Sequence, residues 1–135
     1  MSGFGFFLKT SAAALFLVMV ISCASKPAAI SGDLTAAEMV QRAQEASDRN
    51  RYSVSLQYYE AILEKFPYDM EYVCAAEYEI AFIYYKQKKY EPAKTGMNNL
   101  LERYNSPDEE LLPQQYKVLA RKILTTISDL ESKKK

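Results

Sequence analysis

Two stretches of this sequence carry the same pattern of residue types: YSVSLQYYEAILEKF, from Tyr52 to Phe66, and YEPAKTGMNNLLERY, from Tyr90 to Tyr104. Each has an aromatic residue, a small residue at i+3, a large residue at i+7, an aliphatic pair at i+10 and i+11, and an aromatic residue at i+14. These spacings place all six side chains on one face of an α-helix. Each position in the second stretch lies 38 residues after its counterpart, so that Tyr52, Ser55, Tyr59, Ile62, Leu63 and Phe66 correspond to Tyr90, Ala93, Met97, Leu100, Leu101 and Tyr104.

A further helix is predicted before each of these stretches, from Ala36 to Ser47 and from Val73 to Tyr85. The polar turns DRNR and KQKK join the helices of each pair, and a fifth helix is predicted from Leu112 to Leu130. Self-similarity at a period of this length is typical of a solenoid of stacked helix-turn-helix units. We therefore predict an all-α fold of five helices, about two and a half repeats, with Ser55 and Ala93 at close helix crossings.

The spacings resemble those of the tetratricopeptide repeat. Ile80, Ala81 and Tyr84 match the pattern of its first helix, and Ser55, Tyr59 and Pro67 match that of its second helix. The period of 38 residues is longer than the usual period of about 34 residues, and the bridge PYDMEYV accounts for the surplus. The resemblance implies that the first helices of the units line a concave groove, and it places eight residues there: Val40, Gln44, Tyr78, Phe82, Tyr85, Lys86, Lys117 and Arg121.

Tyr78, Phe82 and Tyr85 form a second apolar face on the predicted third helix, opposite the face that supplies its packing stripe. One interpretation is that this helix is buried on both sides. The other is that the three rings are partly accessible and form the floor of a groove for a partner, with Lys86 and Arg121 at its rim. Such a groove suits an extended peptide that carries aromatic residues or a carboxylate.

The N-terminal segment carries a processing signal. Lys9 is the only charge before Asp33, and the uncharged run TSAAALFLVMVI has the length of the hydrophobic region of a signal peptide. The run ends in VISC, Val20 to Cys23, which resembles the lipobox of bacterial lipoproteins. That resemblance implies cleavage before Cys23 and attachment of three acyl chains to the new N-terminus. An N-terminal membrane anchor and a buried core helix are the alternatives.

These patterns predict four segments. Residues 1–22 form a lipoprotein signal peptide, residues 23–34 the lipidated cysteine and a flexible tether, residues 35–131 the tetratricopeptide-like domain, and residues 132–135 a basic tail. With Cys23 lipidated, Cys74 is a free thiol and no internal disulfide forms. Ala24, and not Asp, follows Cys23, which favours the periplasmic face of the outer membrane over the inner membrane.

Composition argues against catalysis and nucleic-acid binding. Lys+Arg and Asp+Glu are balanced at 17 each, so no net charge attracts nucleic acid. The chain has no histidine, the usual general base and metal ligand, and its four glycines form no phosphate-binding loop. The acidic run from Asp108 to Glu110 precedes Pro113 and is expected to shape a turn. We predict a protein that is not an enzyme and has no cofactor besides the lipid on Cys23.

The stretch from Tyr58 to Tyr104, YYEAILEKFPYDMEYVCAAEYEIAFIYYKQKKYEPAKTGMNNLLERY, follows a lipobox and resembles the BamD/YfiO-type lipoproteins of the outer-membrane β-barrel assembly machine. The resemblance implies a scaffold on the periplasmic face that contacts the barrel-assembly subunit or unfolded barrel precursors. Members of that family have a longer solenoid. The alternatives are a lipoprotein partner of another periplasmic complex, such as a transporter or a cell-wall assembly complex, and a structural homo-oligomer.

Overall fold

The computed structural model describes residues 30–133. Within this range the chain forms five α-helices and no strand, and a single 3₁₀ turn, Glu109–Leu111, precedes the last helix. The predicted all-α helical-repeat fold is therefore confirmed. The predicted signal peptide, Cys23 and most of the tether lie outside the described residues. The helices are α1 Ala36–Asp48, α2 Tyr52–Lys65, α3 Met70–Lys86, α4 Tyr90–Arg103 and α5 Gln114–Ser132.

The start of α1 is fixed by a reciprocal cap. The Thr35 Oγ1 accepts a hydrogen bond from the Glu38 backbone N–H at 3.3 Å, and the Thr35 N–H donates to the Glu38 carboxylate at 2.9 Å. Each bond satisfies a backbone group that the first turn of a helix leaves unpaired. The bonds from the Thr35 backbone and side chain lower the pKa of Glu38. The folded part therefore begins where the sequence predicts, at residue 35.

The turns within the two units repeat as closely as the helices do. Asn50 and Lys88, which are 38 residues apart, both have positive φ angles, 56° and 60°. The residue after each, Arg51 or Lys89, donates its N–H back to the end of the preceding helix, at 2.8 and 2.9 Å. Asparagine tolerates this left-handed conformation better than lysine does, so the second turn stores more backbone strain than the first.

The helices stack in chain order as two antiparallel pairs and a single last helix. We call α1 and α2 the first unit, and α3 and α4 the second unit. Each helix packs against its neighbours in sequence, and α3 also contacts α1 and α5. The first helices of the units therefore lie side by side on one face, which we call the inner face. One core cluster joins the first unit to α3, and the other joins α3, α4 and α5.

Small residues allow the helices to approach closely. Ser55 and Ala93 are both fully buried, as their shared position in the repeat predicts. A Cβ on Gly96 would lie 2.7 Å from the Ala81 Cβ, closer than side chains pack, so α3 and α4 can meet here only because residue 96 is glycine. The equivalent position of the first unit, 38 residues earlier, is Tyr58.

Three predicted boundaries differ from the structure. Helix α3 begins at Met70 and not at Val73, because the chain turns into the helix at Asp69 and the predicted bridge is already helical there. Helix α5 begins after Pro113, which fixes the backbone at its N-cap. It ends at Ser132, one residue into the predicted basic tail. Among residues 30–133, no helix combines the length and apolarity that crossing a bilayer requires.

Candidate functional site

A line of aromatic rings runs across α3 and joins it to α4 and α5. The ring of Tyr116 on α5 lies 5.8 Å from Tyr78, which stacks on Phe82 at 5.6 Å. Phe82 stacks on Tyr85 at 5.7 Å, and Tyr85 lies 6.2 Å from Tyr90 at the start of α4. Three of the rings are at positions i, i+4 and i+7 of α3, as the sequence predicts. We call this set, Tyr116, Tyr78, Phe82, Tyr85 and Tyr90, the ring line.

Tyr78 is buried, and the prediction that it is partly accessible is wrong. Only 6% of Tyr78 is exposed, because Tyr116 and Phe82 cover its ring from α5 and from the next turn of α3. This burial raises the pKa of Tyr78 to about 12. Phe82 and Tyr85 are partly exposed, as predicted. The surface that a partner can reach therefore centres on Phe82 and Tyr85, with Tyr78 supporting it from below.

Lys86 holds the first unit to α3. Its ammonium donates a hydrogen bond to the Ser47 hydroxyl of α1. It also lies 5.2 Å from the ring centroids of both Tyr52 and Phe82, within the range of a cation–π interaction. The predicted rim position of Lys86 is thus at the junction of three helices, and the charge of this side chain is already engaged by the protein.

The remaining predicted groove residues divide into two groups. Val40 and Gln44 lie on α1; Val40 packs half-buried against the first core cluster, and Gln44 is exposed. Lys117 does not join the ring line, because its ammonium pairs with Glu109 and lies over the ring of Tyr104. Arg121 is exposed one turn further along α5. The structure therefore brings Gln44 together with Phe82 and Lys86, and places Lys117 elsewhere.

A cavity of about 290 Å³ opens at the junction of α1, α2 and α3. It contains the predicted groove residues Gln44, Phe82 and Lys86 together with side chains that the sequence analysis did not assign to a site. Tyr59 was expected in the core, and only 1% of it is exposed, but its hydroxyl has no hydrogen-bond partner. The cavity is lined by Gln44, Ser47, Asp48, Tyr59, Glu79, Phe82 and Lys86.

Two carboxylates and one ammonium set the electrostatics of this cavity. Burial raises the pKa of Glu79, the nearby charge of Asp48 raises it further, and Lys86 opposes both. Burial also raises the pKa of Tyr59, as does the charge of Glu79. The sequence analysis missed Glu79, although it is the one charged residue between Tyr78 and Tyr85, a stretch that is otherwise apolar or aromatic.

The opposite side of α3 has a different character. Arg103 of α4 binds the Glu77 carboxylate with two hydrogen bonds of 2.7 Å, which ties α4 to α3. Beside this pair is a cleft of about 170 Å³ between α2 and α4, lined by Leu63, Ile80 and Gly96 among others. Within residues 30–133, no group of three or more acidic or cysteine side chains could hold a metal ion.

Comparison with known proteins gives one relative without an assigned activity. A protein of Treponema pallidum (strain Nichols), described as an uncharacterized protein, is 32% identical to this chain over 112 residues. The match covers 81% of this chain and 45% of that protein, so the chain spans less than half the length of this relative. No family model and no solved structure matches the chain.

Proposed function

We propose that the protein is a membrane-anchored periplasmic scaffold lipoprotein that binds a protein partner along its inner face. The observation that carries this proposal is the ring line, which lies where the first helices of the units meet. Phe82 and Tyr85 leave part of their rings exposed there. Partly exposed aromatic rings on a rigid support anchor binding partners well, because they bury a large area at little cost in side-chain entropy.

The partner is best sought in outer-membrane β-barrel assembly. The resemblance to BamD/YfiO-type lipoproteins from Tyr58 to Tyr104 supports this assignment, and the helical-repeat fold agrees with it. A lipid on Cys23 would hold the scaffold at the membrane surface, with three acyl chains giving stable anchoring where one chain gives only marginal binding. The inner face would then hold the barrel-assembly subunit or an unfolded barrel precursor.

The proposal is tested by recovering the full chain from native membranes with whatever remains bound to it. We expect wild type to recover a barrel-assembly subunit or a barrel precursor, and the double variant Phe82→Ala, Tyr85→Ala to lose it. Tyr68→Ala is the matched control, since it removes a ring that is 94% exposed in the turn between the units. Equal recovery by all three proteins would contradict the proposal, and recovery of a transporter or cell-wall complex would favour the alternative partner.

The lipid anchor is tested separately. Cys23→Ala should leave an uncleaved precursor, because the thiol that receives the lipid is missing. The measurement is the mass of the protein extracted from membranes, compared with wild type. If Cys23→Ala yields the same mature mass as wild type, the lipoprotein assignment is wrong.

A structural homo-oligomer is the second candidate, and the exposure of α5 favours it. Leu111 is 83% exposed and Val118 is 65% exposed, at the end of the stack where the second unit has no further pair beyond it. The terminal helix of a solenoid needs a polar outer face or a neighbour. A sedimentation measurement on the full chain distinguishes the two, since Val118→Lys would dissociate such an oligomer.

A further inference from the structure

The cavity between the two units presents mainly hydrogen-bond acceptors. Glu79 and Asp48 contribute carboxylate oxygens, Gln44 an amide oxygen and Tyr59 a phenolic oxygen. The Tyr59 hydroxyl points into the cavity and is bonded to nothing in the protein. A buried polar atom without a partner costs free energy, so its retention at this site calls for a ligand.

The charges of the cavity leave one negative charge in excess. Glu79 and Asp48 oppose Lys86 alone, and Lys86 already donates to Ser47 and faces two rings. The aromatic wall supplied by Phe82 adds a surface that attracts cations. The volume of about 290 Å³ is far larger than the ~30 Å³ share of one water molecule, so the cavity has room for a side chain.

We propose that this cavity holds the arginine side chain of an extended segment of a protein partner. The inference rests on the proposed function, because the cavity opens onto the same inner face as the ring line and shares Phe82 with it. A partner segment that lies along the rings would place one side chain in the cavity. The chemistry of the cavity then selects that side chain.

Arginine fits these groups better than lysine does. Its guanidinium carries five N–H donors and no acceptor, which matches a cavity rich in acceptors. It is planar, stacks on aromatic rings and is less strongly hydrated than an ammonium group, so it enters a partly buried site at lower cost. An arriving cation would also reverse the effect of burial on Glu79, whose pKa is raised in the free protein.

This assignment differs from the acidic or C-terminal group that the sequence suggests for the groove. That expectation took Lys86 as a free cation at the rim. In the structure the ammonium of Lys86 is bonded to Ser47, and Glu79 and Asp48 outnumber it. The cavity therefore attracts the opposite charge.

Binding of two peptides to the full lipidated chain in detergent micelles tests the proposal. The probes are Ac-Ser-Tyr-Gly-Arg-Gly-Tyr-Ser-amide and the same peptide with citrulline in place of arginine, which keeps the shape and removes the charge. We expect the arginine peptide to bind at least about tenfold more tightly, the size of effect expected from one desolvated charge pair. Equal affinity for the two peptides, or no detectable binding of either, would overturn the proposal.

Two variants locate the effect in the cavity. Glu79→Gln should bring the affinities of the two peptides together, whereas Glu60→Gln, which removes an exposed charge from α2, should keep the preference for arginine. Tyr59→Phe should weaken binding of the arginine peptide while leaving the free protein at least as stable as wild type, as measured by thermal unfolding. If Glu79→Gln retains the preference, the arginine binds elsewhere and the assignment is wrong.

Two further arms separate this inference from the proposed function. Free N-acetyl-arginine amide should bind far more weakly than the peptide; equal binding would indicate a small-molecule site and refute the proposal of a peptide segment. The native partner recovered from membranes should be lost from Glu79→Gln as well as from the Phe82 and Tyr85 double variant. Loss from the double variant alone would keep the proposed function and exclude the arginine site.

Discussion

The two units share a backbone pattern but differ in what they bury. At two equivalent core positions the first unit has Ser55 and Tyr59, and both side-chain oxygens are buried without a hydrogen-bond partner. The second unit has Ala93 and Met97 there, which bury no such oxygen. The second unit is also fastened by the bidentate pair between Glu77 and Arg103. The first unit thus gives up stability that the second unit retains.

The location of the Tyr59 hydroxyl explains why that loss can be useful. It lies where the first unit meets α3, in the cavity that also contains Glu79. Natural proteins keep unpaired buried groups mainly where function uses them. Ser55 has no such cavity, and the structure offers no functional account of its hydroxyl.

The largest effect should come from truncating the aliphatic residue that the units share. Ile62 and Leu100 are both fully buried at the same position of the repeat. Ile62→Ala and Leu100→Ala should each lower the free energy of unfolding by about 2–5 kcal/mol, because each leaves a cavity in a close-packed core. Urea unfolding of both variants measures this. A cost near zero for either one would show that the two positions are not equivalent in packing.

Enlarging the small residue at the helix contacts should have the next largest effect. Ser55→Leu and Ala93→Leu should each cost about 1–3 kcal/mol, because neither site has room for added methylene groups. Chemical or thermal unfolding again gives the values. Unchanged stability in both variants would mean that the 38-residue correspondence does not reflect packing.

Removing the unpaired oxygens should stabilise the first unit. Ser55→Ala and Tyr59→Phe should each raise the free energy of unfolding by about 1 kcal/mol, because a buried hydroxyl without a partner pays its desolvation cost for nothing. The matched control is Ala93→Ser, which places a hydroxyl at the equivalent position of the second unit and should be destabilising. If Ser55→Ala lowers stability, the hydroxyl has a partner that stabilises the fold.

The smallest effect should be a pH-dependent one at Glu79. Its folded pKa is raised, so the folded state retains a proton that the unfolded state loses, and the ionised carboxylate destabilises the fold at neutral pH. That cost disappears as the pH falls through the raised pKa towards the ordinary value of 4.5. Glu79→Gln, which gives α3 the residue that α1 has at Gln41, should therefore be more stable than wild type at pH 7.

The measurement is the difference in melting temperature between Glu79→Gln and wild type from pH 8 to pH 5. The difference should shrink as the pH falls. Lys86 and Asp48 are the other charged groups that act on Glu79, and both remain in the variant. A difference that is constant, or that grows towards acid pH, would show that the folded protein does not disfavour the carboxylate.

The sequence predicted the repeat well because local periodicity determines it. Helices α2 and α4 begin at Tyr52 and Tyr90, where the two matched stretches begin. The early start of α3 was missed because the bridge reads as a link between units, and nothing in its own residues shows that Met70 continues into the helix. Elements whose pattern repeats could therefore be placed closely, and connecting segments could not.

The site was harder to predict because it depends on contacts between distant segments. The accessibility of Tyr78 is decided by Tyr116, 38 residues away on α5. Tyr116 begins the buried stripe that continues through Ala120 and Ile123, and this stripe was the available signal. The engagement of Lys86 by Ser47 likewise depends on how α1 packs on α3. Helical periodicity identifies a face but not what covers it.

The burial of Cys74 gives the protein an internal clock for its own opening. This thiol is fully buried among residues of α3, α4 and α5, and burial raises its pKa, so it is inert while the second unit stays closed. A thiol reagent can modify it only when α3 separates from those helices. The rate of labelling therefore measures how often the second unit opens, and a partner on the inner face that holds α3 in place would slow that rate.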